Sequence, residues 1–277
     1  MMLTLATAFM AMGLTTQAEA RHEQSSVYVS GYRSCGTPIY TMRYWVGYDR
    51  CGRPIWRYRV LDEQRSLHAK FINADVLAIR QKYNLRPDSI ILLYVGRLYK
   101  EKRIEELLQL VKRINSENLC QAFVEGVIIG DSPELTNLKE NAKDNPGIHF
   151  LGAMYDQEIV AEYMRIASAM VIPGKVGLAV NHALAHGLPV ITRESKLHAP
   201  EVEYIESGTN GLIIPGDFDE FVRQVVDCIN SPQKLKGMSQ EALETRESLS
   251  LEFMVKAFDE AVNKAIALKT DKKTSSS

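Results

Sequence analysis

Three strand-to-helix junctions in this chain carry the residue types that hold a diphosphate. Gly96-Arg97-Leu98 follows the apolar run Ile90 to Val95, and Lys102 stands at the start of the helical pattern after it. Pro173-Gly174-Lys175-Val176-Gly177-Leu178 follows Ala169 to Ile172 and opens a segment bearing His182. Gly130-Asp131-Ser132-Pro133-Glu134 closes the run Phe123 to Ile129. A diphosphate is met by fixed cations and by backbone donors that approach closely; Arg97, Lys102 and the helix start at Gly177-Leu178 offer both. Taken singly, an Arg after a strand is a surface residue and a Gly before a helix is a turn. At matching ends of several strands the three junctions read as one anion site.

Such junctions need a parallel sheet to align them, and the periodicity predicts one. Short apolar runs at Ile90 to Val95, Phe123 to Ile129, Ile148 to Leu151, Ala169 to Ile172, Pro189 to Thr192 and Gly211 to Ile214 alternate with amphipathic segments. Ile104, Leu107, Leu108, Val111 and Ile114 fall on one helix face, as do Ile159, Val160, Tyr163 and Met164. Phe218 to Ile229 and Leu251 to Val262 show the same spacing and are expected to close the domain. The expected fold is α/β, a single doubly wound (Rossmann-like) domain whose ligand site lies at the carboxyl ends of its strands. Asp217-Phe218-Asp219 resembles a metal-binding Asp-x-Asp, but Phe218 begins an apolar helix face, so an N-cap accounts for it better. Cys120 and Cys228 fit as reduced, partly buried residues.

The first 60 residues differ in kind. Residues 21–60 carry seven Arg against Glu23 and Asp49, both tryptophans and no Lys. Residues 1–20 contain an apolar run too short to span a bilayer, followed by Ala18-Glu19-Ala20, and read as an export signal. Within 21–61 a 16-residue repeat sets Gly31-Tyr32-x-x-Cys35-Gly36-x-Pro38-Ile39-Tyr40 against Gly47-Tyr48-x-x-Cys51-Gly52-x-Pro54-Ile55-Trp56. Each copy predicts a turn between short strands, and a Cys35 to Cys51 disulfide would compensate for the small core. Arginine interleaved with aromatics also fits a nucleic-acid or anionic-glycan surface. A solvated face of a small β unit is the reading taken, and no nucleic-acid partner is expected. Residues 62–87 are expected to be linker and helix, 88–269 the α/β domain and 270–277 a disordered tail.

Three stretches resemble glycosyltransferase family 4, retaining enzymes of GT-B fold that use nucleoside-diphosphate sugars. They are Ile91 to Leu98 with Glu101-Lys102; Val127 to Glu134 with Ile148 to Gly152; and Pro173 to Leu178 with Ala183 to Thr192, Glu203 and Asn210-Gly211-Leu212. The resemblance covers roughly residues 84–269 and implies the C-terminal, donor-binding half of a GT-B fold, preceded here by a small irregular or β segment. It implies that Arg97 and Lys102 hold the donor diphosphate, that the Gly177 turn gives it N–H groups and that the loop Phe150 to Met154 lies near the base. Two family glutamates spaced by seven residues fall at Gly174 and His182. His182 remains able to hydrogen-bond ribose, whereas Gly174 leaves sugar recognition to Lys175, backbone groups or other residues. The expected donor-binding set is therefore Gly96, Arg97, Lys102, Gly174, Lys175, Gly177, Leu178 and His182, with the catalytic group unassigned and neither cofactor nor divalent metal expected.

A GT-B enzyme also has an N-terminal acceptor-binding domain, and residues 21–61 have the wrong length and composition for it. A partner chain is one source of that domain, and the acceptor is expected to be a glycan or lipid-linked molecule. The family reading implies a bacterial enzyme of carbohydrate biosynthesis, cytoplasmic or membrane-peripheral, whereas the N-terminus argues for export. The competing reading is a non-catalytic secreted or cell-envelope protein carrying a relic α/β domain. A nucleotide-sugar epimerase fits less well, since it too requires a second domain and a carboxylate set not evident here.

Overall fold

The computed structural model describes the strand backbones at 26–32, 38–48 and 54–61, and residues 67–249 apart from 69, without the side chains of 247 and 248. The export-signal reading, the helix expected over Leu251 to Val262 and the expected tail all lie outside the described residues. The chain divides into two units, Met1–Lys70 and Phe71–Ser277.

In the first unit, β1 (Ser26–Tyr32), β2 (Pro38–Tyr48) and β3 (Pro54–Leu61) form an antiparallel sheet in that order. The repeat maps onto this sheet in register. Each copy begins at the end of one strand and finishes at the start of the next, and a register shift precedes each copy's first glycine, between Val29 and Gly31 and between Trp45 and Gly47. One copy therefore encodes one bulged hairpin. Cys35 and Cys51, and with them the expected bridge, lie outside the described residues.

The second unit is a six-stranded sheet. Its strands are β4 (Ile90–Val95), β5 (Val124–Ile129), β6 (Ile148–Gly152), β7 (Ala169–Ile172), β8 (Val190–Arg193) and β9 (Gly211–Ile214). They lie in the order β6-β5-β4-β7-β8-β9, every pair parallel. Successive crossovers run outward from β4 to β6, then return to β7 and run the other way. The expected doubly wound fold is present, and the sheet's switch point lies between β4 and β7.

Helices α1 (Val76–Lys82), α2 (Ile104–Ser116), α3 (Leu135–Asn141), α4 (Gln157–Ile166), α5 (Ala179–Ala185), α6 (Phe218–Ile229) and α7 (Pro232–Ser248) cover the sheet. Helix α2 packs with α3 and α6, α1 with α4, and α5 with α7. The strands read as continuous apolar runs because both faces are covered: Ile91, Leu92, Leu93 and Tyr94 are all buried. Helix α2 buries Ile104, Leu107, Leu108, Leu110, Val111 and Ile114. Asp217 caps α6 by accepting from the Glu220 N–H at 3.0 Å, and Asp219 pairs with Arg113, so the Asp-x-Asp is structural. Helix α7 escaped the periodicity reading because it presents few apolar residues; Met238 and Ala242 are its buried ones. Cys228 is buried and Cys120 half-buried, both as free thiols.

At the amino-terminal edge of the sheet, Glu125 of β5 is 2% exposed. Its carboxylate accepts from the Arg86 N–H at 3.1 Å, from the Ser89 hydroxyl and from His149 Nε2 at 3.0 Å. Burial alone would raise its pKa, but the hydrogen bonds from His149, Ser89 and Arg86 together hold it below the ordinary glutamate value near 4.5. A carboxylate with a depressed folded pKa contributes stability above its unfolded pKa and loses it as pH falls through the folded value. Glu125→Gln is thus expected to cost about 2 kcal/mol at pH 7. In urea unfolding followed from pH 7 to pH 3, the gap between wild type and variant should shrink below the ordinary carboxylate range; a gap independent of pH contradicts this account.

Candidate functional site

The loops after β4 and β7 meet at the switch point and are stitched by backbone hydrogen bonds. The Gly174 N–H donates to the Lys102 carbonyl at 3.0 Å and the Lys175 N–H to the Glu101 carbonyl at 2.7 Å. This approach requires glycine: a Cβ on Gly174 would stand 2.0 Å from the Glu101 carbonyl oxygen and 2.7 Å from the Lys102 carbonyl carbon. Gly174 is buried and serves this contact; it offers no group of its own to a ligand.

The stitch aims Lys102. Its ammonium donates to the Lys175 carbonyl at 2.5 Å and lies 3.8 Å from where a side chain on Gly177 would begin. Burial, and then the like charge of Lys175, lower the pKa of Lys102 below the ordinary lysine value. A desolvated cation beside a second cation is an electrostatic cost that an anion would relieve. The Lys175 side chain itself is exposed.

Within the β7–α5 turn, the N–H groups of residues 174 and 175 are spent on the stitch. That of Val176 donates to His198 Nδ1 at 3.2 Å. His198 Nε2 lies 2.8 Å from the Arg193 carbonyl. Since Val176 can only donate and a carbonyl can only accept, the ring is the neutral Nε2–H tautomer. His198 therefore pins the turn to the end of β8. The N–H groups of Gly177, Leu178 and Ala179 have no acceptor among the described residues. The Leu178 side chain is 67% exposed, so its contribution to an anion is its backbone. His182 lies half-buried on α5.

Arg97 leaves β4 on the other side of the switch point. Tyr94, buried, donates its hydroxyl to the Arg97 carbonyl at 2.7 Å and fixes that corner; burial drives the Tyr94 pKa well above the ordinary tyrosine value, so the donor persists. The Arg97 guanidinium donates to the Tyr99 hydroxyl at 2.6 Å. Both residues line a cleft of about 720 Å³ at the carboxyl ends of β4, β5 and β6, closed by Gly130, Met154 and Tyr155. Gly130 lets that floor form, because a Cβ there would fall 1.8 Å from the Gly96 carbonyl oxygen. The structure thus places Gly96 and Arg97 in the cleft, and Lys102, Gly174, Lys175 and Gly177 at the turn beside it. Sequence reading missed Tyr99 and Tyr155, which no periodicity marks, and His198, which sits in a loop without a motif.

Residues 89–231 match the family described as "Glycosyl transferases group 1". Among curated proteins, the chain is similar to the alpha-monoglucosyldiacylglycerol synthase of Acholeplasma laidlawii, with 27% identity over 63% of this chain and 43% of that protein. It is also similar to the N-acetyl-alpha-D-glucosaminyl L-malate synthase of Bacillus anthracis, with 24% identity over 68% of this chain and 47% of that protein. The chain spans less than half the length of these relatives. Among solved structures it resembles Anabaena HepE in complex with UDP and glucose, with a TM-score of 0.54 and 19% identity over 70% of this chain and 52% of that one. It also resembles the C-terminal domain of a group 1 glycosyl transferase, LpcC, from Francisella tularensis, with a TM-score of 0.51 and 17% identity over 63% of this chain and 92% of that one. With more than half of its residues inside the family match, the chain belongs to the group 1 glycosyl transferases.

Proposed function

We propose that residues 88–249 bind a nucleoside-diphosphate sugar for transfer, with retention, to a glycan or lipid-linked acceptor, on the cytoplasmic side or at the membrane surface. The observation that carries this reading is Lys102, half-buried and held by the Lys175 carbonyl beside the open N–H groups of Gly177 and Leu178. A diphosphate there accepts from the ammonium and those amides, and Arg97 reaches it from the cleft side. The nucleoside then occupies the cleft among Tyr99, Met154 and Tyr155, and His182 serves the ribose. As the sugar leaves, negative charge grows on the diphosphate, and a fixed cation in a poorly hydrated position stabilises that charge more than mobile solvent does. The structures of HepE in complex with UDP and glucose and of the pneumococcal GtfA in complex with UDP and GlcNAc make UDP-sugars suitable probes. An acceptor-binding domain from a partner chain belongs to the same proposal.

Calorimetric titration of the full chain with UDP, UDP-glucose, UDP-N-acetylglucosamine and GDP-mannose is expected to show saturable binding of at least one. Lys102→Ala and Arg97→Ala should each weaken that binding about tenfold or more, equivalent to about 1.4 kcal/mol. No saturable binding of any of the four would remove the reading. Gly174→Ala must displace the 101–102 segment by its Cβ overlap. It should therefore lower thermal stability by about 2 kcal/mol and weaken nucleotide binding as well, because Lys102 moves with that segment. Unchanged affinity in this variant would show that the stitch does not position the cation.

A further inference from the structure

After β8 the chain passes through His198, which holds the β7–α5 turn, into a short 3-10 turn, Pro200–Tyr204, that packs against α5. Glu201 opens this turn. Its Oε2 is buried and has no hydrogen-bond partner among the described residues. A buried carboxylate oxygen without a donor costs free energy that the fold would ordinarily relieve. Asn181 Oδ1 on α5 is also without a partner, but the oxygen and nitrogen of an amide can exchange places. A carboxylate has only acceptors, so no reassignment supplies its missing donor.

Position and charge narrow what that donor is. Glu201 makes no direct ion pair with Lys102, and it stands three residues after His198, which is bonded to the turn that carries Gly177 and Leu178. A carboxylate repels phosphate oxygens, so it does not bind the diphosphate itself. In a nucleoside-diphosphate sugar, the ring bonded to the distal phosphate is the neutral, hydroxyl-rich part that lies next to the diphosphate on the side away from the base. The cleft proposed for the base is lined by Arg97, Tyr99 and Tyr155 and not by Glu201, which belongs to the segment that follows β8. We infer that Glu201 accepts hydrogen bonds from hydroxyl groups of the donor's sugar ring and so recognises the sugar, a role that rests on the nucleotide-sugar reading above.

The test separates sugar from nucleotide. Full-length wild type, Glu201→Ala and Glu201→Gln are titrated with UDP, UDP-glucose and UDP-N-acetylglucosamine. Wild type is expected to bind one of the sugar nucleotides more tightly than UDP, and Glu201→Ala to lose that gain, about tenfold, with its UDP affinity within twofold of wild type. Glu201→Gln, which keeps one acceptor oxygen, should retain part of it. Because the carboxylate is unpaired, Glu201→Ala should unfold at the same temperature as wild type or higher. The inference is overturned if Glu201→Ala keeps the sugar-dependent gain, if it weakens UDP and the sugar nucleotides equally, or if wild type binds UDP as tightly as both sugar nucleotides. Wild type that binds none of the three, nor GDP-mannose, instead overturns the nucleotide-sugar reading and this role with it.

Discussion

Two backbone hydrogen bonds across the switch point, from residues 174 and 175 to the carbonyls of 102 and 101, hold the two loops of the candidate site together. Strands β4 and β7 are neighbours in the sheet but lie 74 or more residues apart in the chain, so their loops have no local reason to meet. Glycine at 174 permits the contact by leaving room for a carbonyl where any other residue would place a side-chain carbon. Once the loops are joined, Lys102 is carried from the end of one strand to the turn after another. A flexible side chain thereby becomes a fixed charge, having lost part of its solvation and of its rotamer freedom before any ligand arrives.

Charge is distributed differently at the two ends of the sheet. At the amino-terminal edge, Glu125 is buried but fully engaged by Ser89, Arg86 and His149, so hydrogen bonding outweighs burial and the group is structural. At the carboxyl edge, Lys102 has one carbonyl partner and Glu201 keeps an oxygen with none. These two groups stand where the sheet topology opens a crevice, a place where a ligand can supply remaining partners. Arg193 lies between the two regimes: its Nη1 donates to both carboxylate oxygens of Glu106 at 2.9 Å and its Nη2 to the Gly216 carbonyl at 2.8 Å, tying β8 to α2.

Much of this was legible in the residues because parallel strands buried on both faces leave unambiguous apolar runs. Ile90–Val95, Ala169–Ile172 and Gly211–Ile214 begin and end where the hydropathy does. Helix α7 was not legible, since its packing rests on a few small contacts and not on a broad apolar face. The site was half legible. Cations and glycines at strand ends are local features, so Arg97, Lys102 and Gly177 could be chosen. The use of the three N–H groups at 174–176 within the protein depends on which loop lies opposite, which is fixed by strand order and not by local sequence. For the same reason Gly174 reads as a possible ligand contact in the sequence and acts as a packing contact in the fold, and nothing near His198 or Glu201 announces their placement.

The N-terminal sheet carries a different kind of information. Because each copy of the repeat holds the close of one strand, a reversal and the opening of the next, the module is a joint between strands and not a strand itself. Inserting another copy would lengthen the sheet by one strand at a time and put each new reversal at alternate ends. Among the described residues β1 and β3 pair on one side only, so growth by duplication could proceed at either border without disturbing the pairs already made.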